Sequence, residues 1–444
     1  MVKPALEKES SSVEGVHGGK IEKAECTTSL NAAQVLSAVA LDQIQLKTPR
    51  KRLTKYAILL GYQGKNYFGM QPTIEFHLLN AMHKMGLITE EERKEQSKIY
   101  FQRAARTDRG VSAVRQVCSV QLLVDKLLKD DSDQLVDNGP EKLNEHLPKD
   151  IRVLAFRRTT PTFHSQKSCD SRTYSYTLPT FAFAELDKLT NSSYRISEEK
   201  LKEIDDVLSI FKGTHNFFNY TSKKAHSDDS CKRYIISFKC DKPFLYKDPV
   251  RNTDVEFMSI YIKGQSFMMH QIRKMIGMTI AVIRGLAYKS EIQKSFEKQR
   301  MDIPKAPGLG LLLEQVHYER YDKKFGKTHA LLDRWGDEVE ANIRRLRDEL
   351  IISEILRTEC HNDSMMLWLT TLINHDFSCV PEDETDESKS RLRLAAKPKN
   401  EIDGSEIDLN CETEVDESEI MEDDASTCIN ETNQEISTEK QAVA

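Results

Sequence analysis

Hydrophobic residues in the first part of the chain come in short runs typical of strands, separated by segments with helical spacing. The run KYAILLGY, Lys55 to Tyr62, predicts a buried strand, and VCSVQLLV (117–124) and IRVLAFRR (151–158) predict two more. Residues 77–85 predict a short amphipathic helix, and GPEKLNEHL (139–147) predicts a polar helical segment. This region therefore forms one series of mixed strands and helices.

A second series of the same kind follows along the chain. Strands are predicted at RTYSYTL (172–178), RYIISFKC (233–240) and EFMSIYIKG (256–264), and helices at 197–211 and 267–285. The connections are short, which favours antiparallel pairing over a doubly wound parallel sheet. Two mixed series predict an α+β fold built from two halves.

From Asp337 onward the pattern becomes helical. The apolar positions are spaced four, three and four residues apart, which places them on one helix face: Val339, Ile343, Leu346 and Leu350. Asp363 and Ser364 then stand where they could cap a further helix through MMLWLTTL. We expect a helical extension after the two halves.

The two ends of the chain differ from its centre in composition and charge. Residues 1–46 are rich in Ser, Glu, Ala and Gly, and residues 381–444 hold 20 acidic and six basic residues, so both ends predict disorder. The formal net charge is −6, yet residues 47–380 carry +10. A basic body of this kind favours a polyanionic partner.

The predicted organisation has five parts. They are a disordered segment with a basic cluster (1–52), a first α+β half (53–170), a second α+β half (171–330), a helical extension (331–380) and an acidic disordered tail (381–444).

The basic cluster KTPRKR, Lys47 to Arg52, is either a nuclear-import signal or a solvated linker. No run approaches the ~20 apolar residues of a membrane span, and five glutamates near the N-terminus argue against a signal peptide. The nine cysteines form no C-x-x-C pair, which fits a reducing compartment. We expect a soluble protein of the nucleus, with the mitochondrion as the alternative.

Several common chemistries lack their sequence signatures. GYQGKNYFG is not followed by Gly-Lys-Ser/Thr, which excludes a P-loop. Its glycines are predicted to form a tight turn at the end of a strand. The chain has no H-x-E with a C-x-x-C partner and no G-x-S-x-G elbow. The histidines lack metal-ligand spacing, and isolated ones such as His215 and His270 are typical of structural residues. Catalysis would then depend on a carboxylate.

The stretch ARTDRG places Asp108 between Arg106 and Arg109. An Asp followed two residues later by Gly is common in turns, where the carboxylate bonds nearby backbone amides. The alternative is a functional carboxylate, and the local pattern alone favours the turn.

Two other stretches favour the functional alternative. In CDSRTYSYTLP, strand spacing points Arg172, Tyr174 and Tyr176 to one face, and an aromatic ring beside a cation suits a splayed nucleobase. A tyrosine simply packed on the sheet is the competing interpretation.

The other stretch, GQSFMMHQIRKMIGM, predicts a largely apolar helix that carries Arg273 near its N-terminal end. Its apolar positions are Met269, Ile272, Ile276 and Ile283. An arginine in this setting either extends to water or meets a buried carboxylate. The spacing leaves both open.

Taken together, ARTDRGVSA, SRTYSY and FMMHQIRKMIG resemble the motifs of TruA-type tRNA pseudouridine synthases, in the same order and at compatible separations. GYQGKNYFGMQ near the start and PGLGLLLEQVHYERY (307–321) agree with the same family. The resemblance covers about residues 55–322. CDSRTYSYTLP, GTHNFFNYTSKK and the helical extension look more like the eukaryotic multisite branch.

The resemblance implies a role for each matching residue. Asp108 corresponds to the essential catalytic aspartate, Tyr174 to the tyrosine that stacks on the target uracil, and Arg273 to the arginine that pairs with the aspartate. Arg106 corresponds to the arginine that holds the target nucleotide out of the stack. Arg106, Tyr174 and Arg172 are the candidate substrate-binding residues. The family fold, two ferredoxin-like halves whose sheets join around a basic RNA cleft, is expected for this chain as well.

The implied function is isomerisation of uridine to pseudouridine in tRNA, with the anticodon stem as the expected region and mRNA or snRNA as further substrates. No atoms are gained or lost, so no cofactor is expected and no metal ligands are predicted, while a structural metal stays open. Asp108 is expected to act as a nucleophile, although the sequence leaves open attack on the base, attack on the sugar and removal of a sugar proton.

Two other functions compete with this one. A non-catalytic RNA-binding or chaperone protein could keep the basic cleft without chemistry, and a carboxylate enzyme could cleave RNA or N-glycosidic bonds, although no supporting second acid can be placed. The arginines beside the apolar face of the helical extension either form a rail for tRNA or are only solvated: Arg344, Arg345 and Arg347.

Overall fold

The computed structural model describes residues 53–123, 139–186, 190–377 and 379–380. The predicted disordered ends and the basic cluster at 47–52 lie outside these residues. Strands and helices alternate through most of the described chain, in agreement with the predicted mixed fold, and the domain boundaries stay a prediction. Every helix among the described residues is too short or too polar to cross a lipid bilayer.

The strands of the described chain are β1 (Leu53–Tyr62), β2 (Gln102–Arg103), β3 (Ser112–Leu123), β4 (Ile151–Arg158), β5 (Ser171–Pro179), β6 (Gly213–Asn216), β7 (Lys232–Cys240), β8 (Phe244–Lys247), β9 (Asp254–Gly264), β10 (Arg300–Met301), β11 (Leu311–His317) and β12 (Cys379–Val380). Ten of these form one sheet in the order β4-β1-β3-β11-β5-β9-β7-β6, with β2 on β3 and β8 on β9. β10 and β12 form a separate two-stranded sheet.

The α-helices are α1 (Glu75–Lys84), α2 (Glu90–Lys94), α3 (Gly139–Asn144), α4 (Glu198–Ser209), α5 (Gln271–Ile283), α6 (Lys289–Lys294), α7 (Glu319–Phe325), α8 (Asp337–Arg345), α9 (Ser353–Asn362) and α10 (Ser364–Leu372). The π-helical segment Met70–Ile74 leads into α1. A second π-helical segment, Leu346–Ile352, connects α8 to α9. Short 3₁₀ turns lie at Gln96–Ile99, Thr180–Phe183, Phe218–Tyr220 and Asp229–Cys231.

β11 is the strand that joins the two series of elements. It pairs in parallel with β3, where Leu313 lies opposite Ala113, and antiparallel with β5, where Leu313 lies opposite Tyr174. The other pairs along the sheet order are antiparallel, as the short connections predicted. The sequence pattern did not place a strand at Leu311–His317.

One face of the sheet positions the site. Tyr62 lies opposite Ala113, which lies opposite Leu313, which lies opposite Tyr174. Residues in register across neighbouring strands project to the same side, so these four form one row. We call this side the front face, and it carries the site.

The opposite side, the back face, is covered by the helical extension. Gly61 precedes Tyr62 in β1 and so faces the other way, and a Cβ on Gly61 would lie 2.9 Å from Leu346 Cδ2. With both faces covered, β1 is buried from Thr54 to Tyr62, which explains its nearly continuous apolar sequence.

The helical extension predicted from Asp337 onward is confirmed by α8, α9, α10 and the π-helical segment. The expected cap at Asp363 is wrong. Asp363 has φ 49° and makes no side-chain cap, because its carboxylate pairs with Arg251 at 2.6 Å. The Glu359 carboxylate instead accepts a hydrogen bond from the Met365 amide at 2.7 Å.

Candidate active site

Asp108 lies in the loop between β2 and β3, and that loop is fixed from several sides. The Thr107 hydroxyl is 2.8 Å from the Tyr62 hydroxyl, and the Val111 amide donates to the Asp108 carbonyl at 3.1 Å. Gly110 has φ 76°, a conformation that favours glycine. ARTDRG is therefore a turn, as its local pattern suggested, and the turn also presents a carboxylate to the site.

The Asp108 carboxylate faces a histidine. Asp108 Oδ2 is 3.4 Å from His270 Nδ1, and the Asp108 side chain is 27% exposed. Burial raises the pKa of Asp108, but the nearby His270 and the charges of Arg273 and Lys305 outweigh burial and lower the pKa below its usual value. Asp108 is therefore ionised at neutral pH.

His270 is the main site residue that sequence reasoning missed, because an isolated histidine was interpreted as structural. It directly precedes α5 and has φ 63°, which is uncommon outside glycine. The contact with Asp108 depends on this local geometry and on the packing of α5 against the sheet. The available sequence signal was the position of His270 three residues before Arg273 in FMMHQIRKMIG.

Arg273 lies in the first turn of α5 and is only 7% exposed. Its Nε donates to the Ala306 carbonyl at 2.7 Å, and the Ala306 amide donates back to the Arg273 carbonyl at 3.2 Å. Arg273 thus binds the segment before β11 and acts on Asp108 through its charge. In the structure a backbone carbonyl holds the guanidinium. A direct pairing with Asp108 stays a prediction.

Tyr174 lies in the front-face row and is only 7% exposed. Its ring meets the Phe267 ring edge to face, with centroids 5.3 Å apart. Burial raises the pKa of Tyr174 well above its usual value; the charge of Arg172 opposes this effect and that of Asp108 adds to it. The phenol therefore stays protonated at neutral pH.

Arg172 contacts the Asp108 loop from β5, whereas Arg106 is part of that loop. The Arg172 guanidinium donates to the carbonyls of Ala104 and Gln265, each at 2.7 Å, and so connects the Asp108 loop to the end of β9. Arg106 is exposed. Burial raises the pKa of Glu75 to about 7, and the charges of Arg103 and Arg106 oppose this rise. The substrate-binding roles of Arg172 and Arg106 stay predictions.

A possible metal-ligand set lies away from Asp108, at the end of β11. His317, Glu319 and Asp333 place one ligand atom each within 4.8 Å of one another. These groups already have protein partners: His317 Nδ1 is 3.2 Å from Asp333 Oδ1, and Glu319 is 3.1 Å from Lys263 Nζ. The cluster is satisfied as it stands and carries no metal assignment.

The prediction that Arg347 belongs to an exposed rail for tRNA is wrong. Its guanidinium pairs with Glu314 on β11 at 2.9 Å and donates to the Tyr261 hydroxyl at 3.0 Å, on the back face of the sheet. Arg347 therefore attaches the helical extension to the sheet. Arg344 and Arg345 are exposed.

The chain is similar to known pseudouridine synthases. The family model for tRNA pseudouridine synthases matches residues 208–319. The chain is 40% identical over 373 residues to the pseudouridylate synthase 1 homolog of Mus musculus, across 82% of this chain and 81% of that protein. It is 43% identical over 334 residues to the Homo sapiens pseudouridylate synthase 1 homolog, across 73% and 74% of the two chains. It is 32% identical over 388 residues to tRNA pseudouridine synthase 1 of Yarrowia lipolytica, across 67% and 70%.

Proposed function

Because the chain belongs to the tRNA pseudouridine synthase family, we propose that it isomerises uridine to pseudouridine in tRNA, with Asp108 as the nucleophile. The observation that carries the proposal is the ionised Asp108 carboxylate, 3.4 Å from His270, at a site whose sheet face carries the buried Tyr174 ring. A protein that only bound RNA would gain nothing from an anion at this place, since an anion repels phosphates.

The reaction breaks the bond from uracil N1 to ribose C1′ and forms one from C5 to C1′. N1 gains a proton and C5 loses one, so the composition of the nucleotide is unchanged. Asp108 attacks in its charged form, which the nearby cations maintain. Tyr174 forms a flat wall against which the detached uracil turns, and the buried surroundings keep water from the reacting atoms.

The target uridine has to leave the RNA stack, which costs a few kcal/mol. Arg106, exposed in the Asp108 loop two residues before Asp108, holds the nucleotide out. Backbone contacts from the basic body offset the rest of the cost, and residues 47–380 carry +10. Arg172 completes the substrate site at the start of β5.

The sheet order supports two ferredoxin-like halves. One half contains β1, β3 and β4 with α1, and the other contains β5, β7 and β9 with α4 and α5. The two sheets join through β11, and Asp108 and Tyr174 come from different halves. In this proposal the catalytic carboxylate and the uracil wall lie on the two sides of one RNA cleft.

The same site serves the anticodon stem of tRNA, and other structured RNAs, such as mRNA and snRNA, are further substrates. The cluster KTPRKR (47–52) directs the protein to the nucleus, and the mitochondrion is the alternative compartment.

Product analysis tests the proposed reaction. The purified protein is incubated with an unmodified tRNA pool, the RNA is digested to nucleosides, and pseudouridine, uridine and free uracil are quantified. We expect pseudouridine to replace an equal amount of uridine without free uracil. Free uracil would favour cleavage of the N-glycosidic bond, and bound but unmodified tRNA would favour a non-catalytic RNA-binding protein.

A further inference from the structure

Phe68 is an exposed aromatic residue next to the catalytic loop. Its side chain is 58% exposed, and the Arg109 guanidinium lies over its ring, 4.5 Å from the centroid. Arg109 directly follows Asp108 in the chain. A single exposed aromatic residue is common on protein surfaces. The contacts that hold Phe68 therefore determine whether it has a functional role.

The loop that carries Phe68 is attached to the Asp108 loop. The Gly110 amide donates to the Tyr67 carbonyl at 3.0 Å, and the Met70 amide donates to the Thr107 carbonyl at 3.3 Å. Gly69 lies so close that a Cβ there would be 2.7 Å from the Thr107 carbonyl oxygen. The position of Phe68 is therefore set relative to Asp108.

Tyr67, the neighbour of Phe68, is anchored in the interior. The Tyr67 side chain is buried, and its hydroxyl donates to Asp150 at 2.6 Å. Phe68 itself is exposed, on a backbone segment that these contacts hold against the Asp108 loop. A fixed aromatic ring under an arginine is the combination that proteins use to stack single-stranded bases.

We propose that Phe68 and Arg109 form a stacking site for the nucleobase next to the target uridine. When the uridine leaves the helix, its neighbour loses a stacking partner, and the Phe68 ring takes that place. Arg109 bridges from the ring to the RNA backbone. Stacking on an aromatic face tolerates any base, so the site suits an enzyme that acts in more than one sequence context. This inference rests on the proposed function.

Single-turnover kinetics test the stacking site. We compare the parent protein with Phe68→Ala, Phe68→Trp and Tyr288→Ala, at saturating protein and with a tRNA that the parent modifies. Tyr288 is the matched control. It is 78% exposed and follows the C-terminal end of α5, whereas His270 precedes the N-terminal end. We expect Phe68→Ala to slow pseudouridine formation about tenfold to a hundredfold. Phe68→Trp and Tyr288→Ala should stay near the parent.

Equal rates for Phe68→Ala and Tyr288→Ala would overturn the stacking site while leaving the proposed function intact. A parent that forms no pseudouridine would instead contradict the proposed function. The thermal midpoint separates stacking from a structural role, because the exposed Phe68 ring should contribute little to folding. A Phe68→Ala rate loss that matched a drop in thermal midpoint would also count against stacking.

A fluorescence measurement tests the same site without catalysis. The Asp108→Asn protein is bound to tRNA that carries 2-aminopurine beside the target uridine. We expect a brighter signal when Phe68→Ala is added to Asp108→Asn, because the probe loses its stacking partner, and a quenched signal with Phe68→Trp. The same brightness with Phe and Ala at position 68 would overturn the proposal.

Discussion

The Asp108 carboxylate lies in a small basic environment built from distant parts of the chain. His270 and Arg273 come from the start of α5, and Lys305 comes from the segment before β11. Together they outweigh the effect of burial on the pKa of Asp108. The charged form that the proposed reaction needs is thus present before RNA binds.

Removing His270 should shift the pH dependence of catalysis. His270 lowers the pKa of Asp108, so His270→Ala should raise that pKa, and Asp108 should lose its charge at a higher pH than in the parent. The acid limb of the kcat/KM profile should therefore move to higher pH. The measurement is kcat/KM on tRNA from acidic to neutral pH.

His215→Ala is the control for this prediction. The His215 ring stacks on Phe296, with centroids 4.3 Å apart, and it lies outside the Asp108 site. We expect its acid limb to match the parent. An acid limb that is the same in both histidine variants would show that His270 does not set the charge of Asp108.

Sequence reasoning reached some of these residues and missed others for physical reasons. Asp108 and Tyr174 lie in motifs whose spacing identifies a loop and a strand face. His270 acts through a positive φ and the packing of α5, and neither can be read from spacing. Arg347 lay off an apolar helix face as predicted, but its partner Glu314 lies on a strand that the pattern did not show.

At the scale of elements, β11 connects the two halves of the site. Its sequence, LLLEQVH, begins after a Pro-Gly segment and lacks the alternation of a half-buried strand. Its parallel pairing with β3 joins residues 200 positions apart, such as Leu313 and Ala113, and depends on tertiary packing. The antiparallel strands β1, β4, β5 and β7 were predictable because each has a clear apolar pattern between short connections.

The loop after β1 should tolerate no side chain at Gly64. A Cβ there would lie 2.2 Å from the Val111 carbonyl oxygen, so Gly64→Ala has to push the Asp108 loop away. The sequence suggested a tight strand exit for this glycine, and the structure adds close contact with the Asp108 loop. Since a small misplacement of a catalytic group is costly, we expect kcat to fall about a hundredfold.

Gly139→Ala is the matched control, because its Cβ would have no neighbour within 4 Å. It should keep the activity and thermal midpoint of the parent. Measuring kcat and the midpoint for both variants checks the prediction. Equal activity of Gly64→Ala and Gly139→Ala would contradict the close contact between the two loops.

Glu359 in α9 should make stability depend on pH. Burial raises its pKa to about 7, above its ordinary value of 4.5. A raised carboxyl pKa means that folding favours the protonated form, so stability falls as pH rises from the unfolded to the folded pKa. Glu359→Gln removes the buried charge and should stabilise the protein on the order of 2 kcal/mol above pH 7, with no gain under acidic conditions.

Thermal midpoints at acidic and alkaline pH measure this effect. Glu338→Gln, at an exposed position in α8, is the control and should shift neither midpoint. A Glu359→Gln variant that gained the same stability at both pH values would indicate better packing rather than loss of a buried charge.

At the scale of the whole molecule, charge is distributed unevenly between the body and its tail. Residues 47–380 carry +10, whereas the full chain carries −6. The overall value therefore hides the basic character of the part that holds the site. On the back face, the Arg347–Glu314 pair attaches the helical extension to the sheet.

Binding of tRNA should weaken strongly with salt. Each phosphate contact releases counterions, so affinity falls as salt rises, and we expect a loss of at least about tenfold between 50 and 200 mM salt. Filter binding of the Asp108→Asn protein to tRNA measures the slope without turnover. An affinity independent of salt would exclude a basic RNA-binding surface.

The central claim is that Asp108 carries out the chemistry. Its most direct test is tritium release to water from tRNA labelled at uracil C5, measured for the parent and for Asp108→Asn with equal amounts of bound tRNA. We predict release by the parent and none by Asp108→Asn. Equal release by both proteins would show that another group performs the reaction, and would contradict the catalytic role of Asp108.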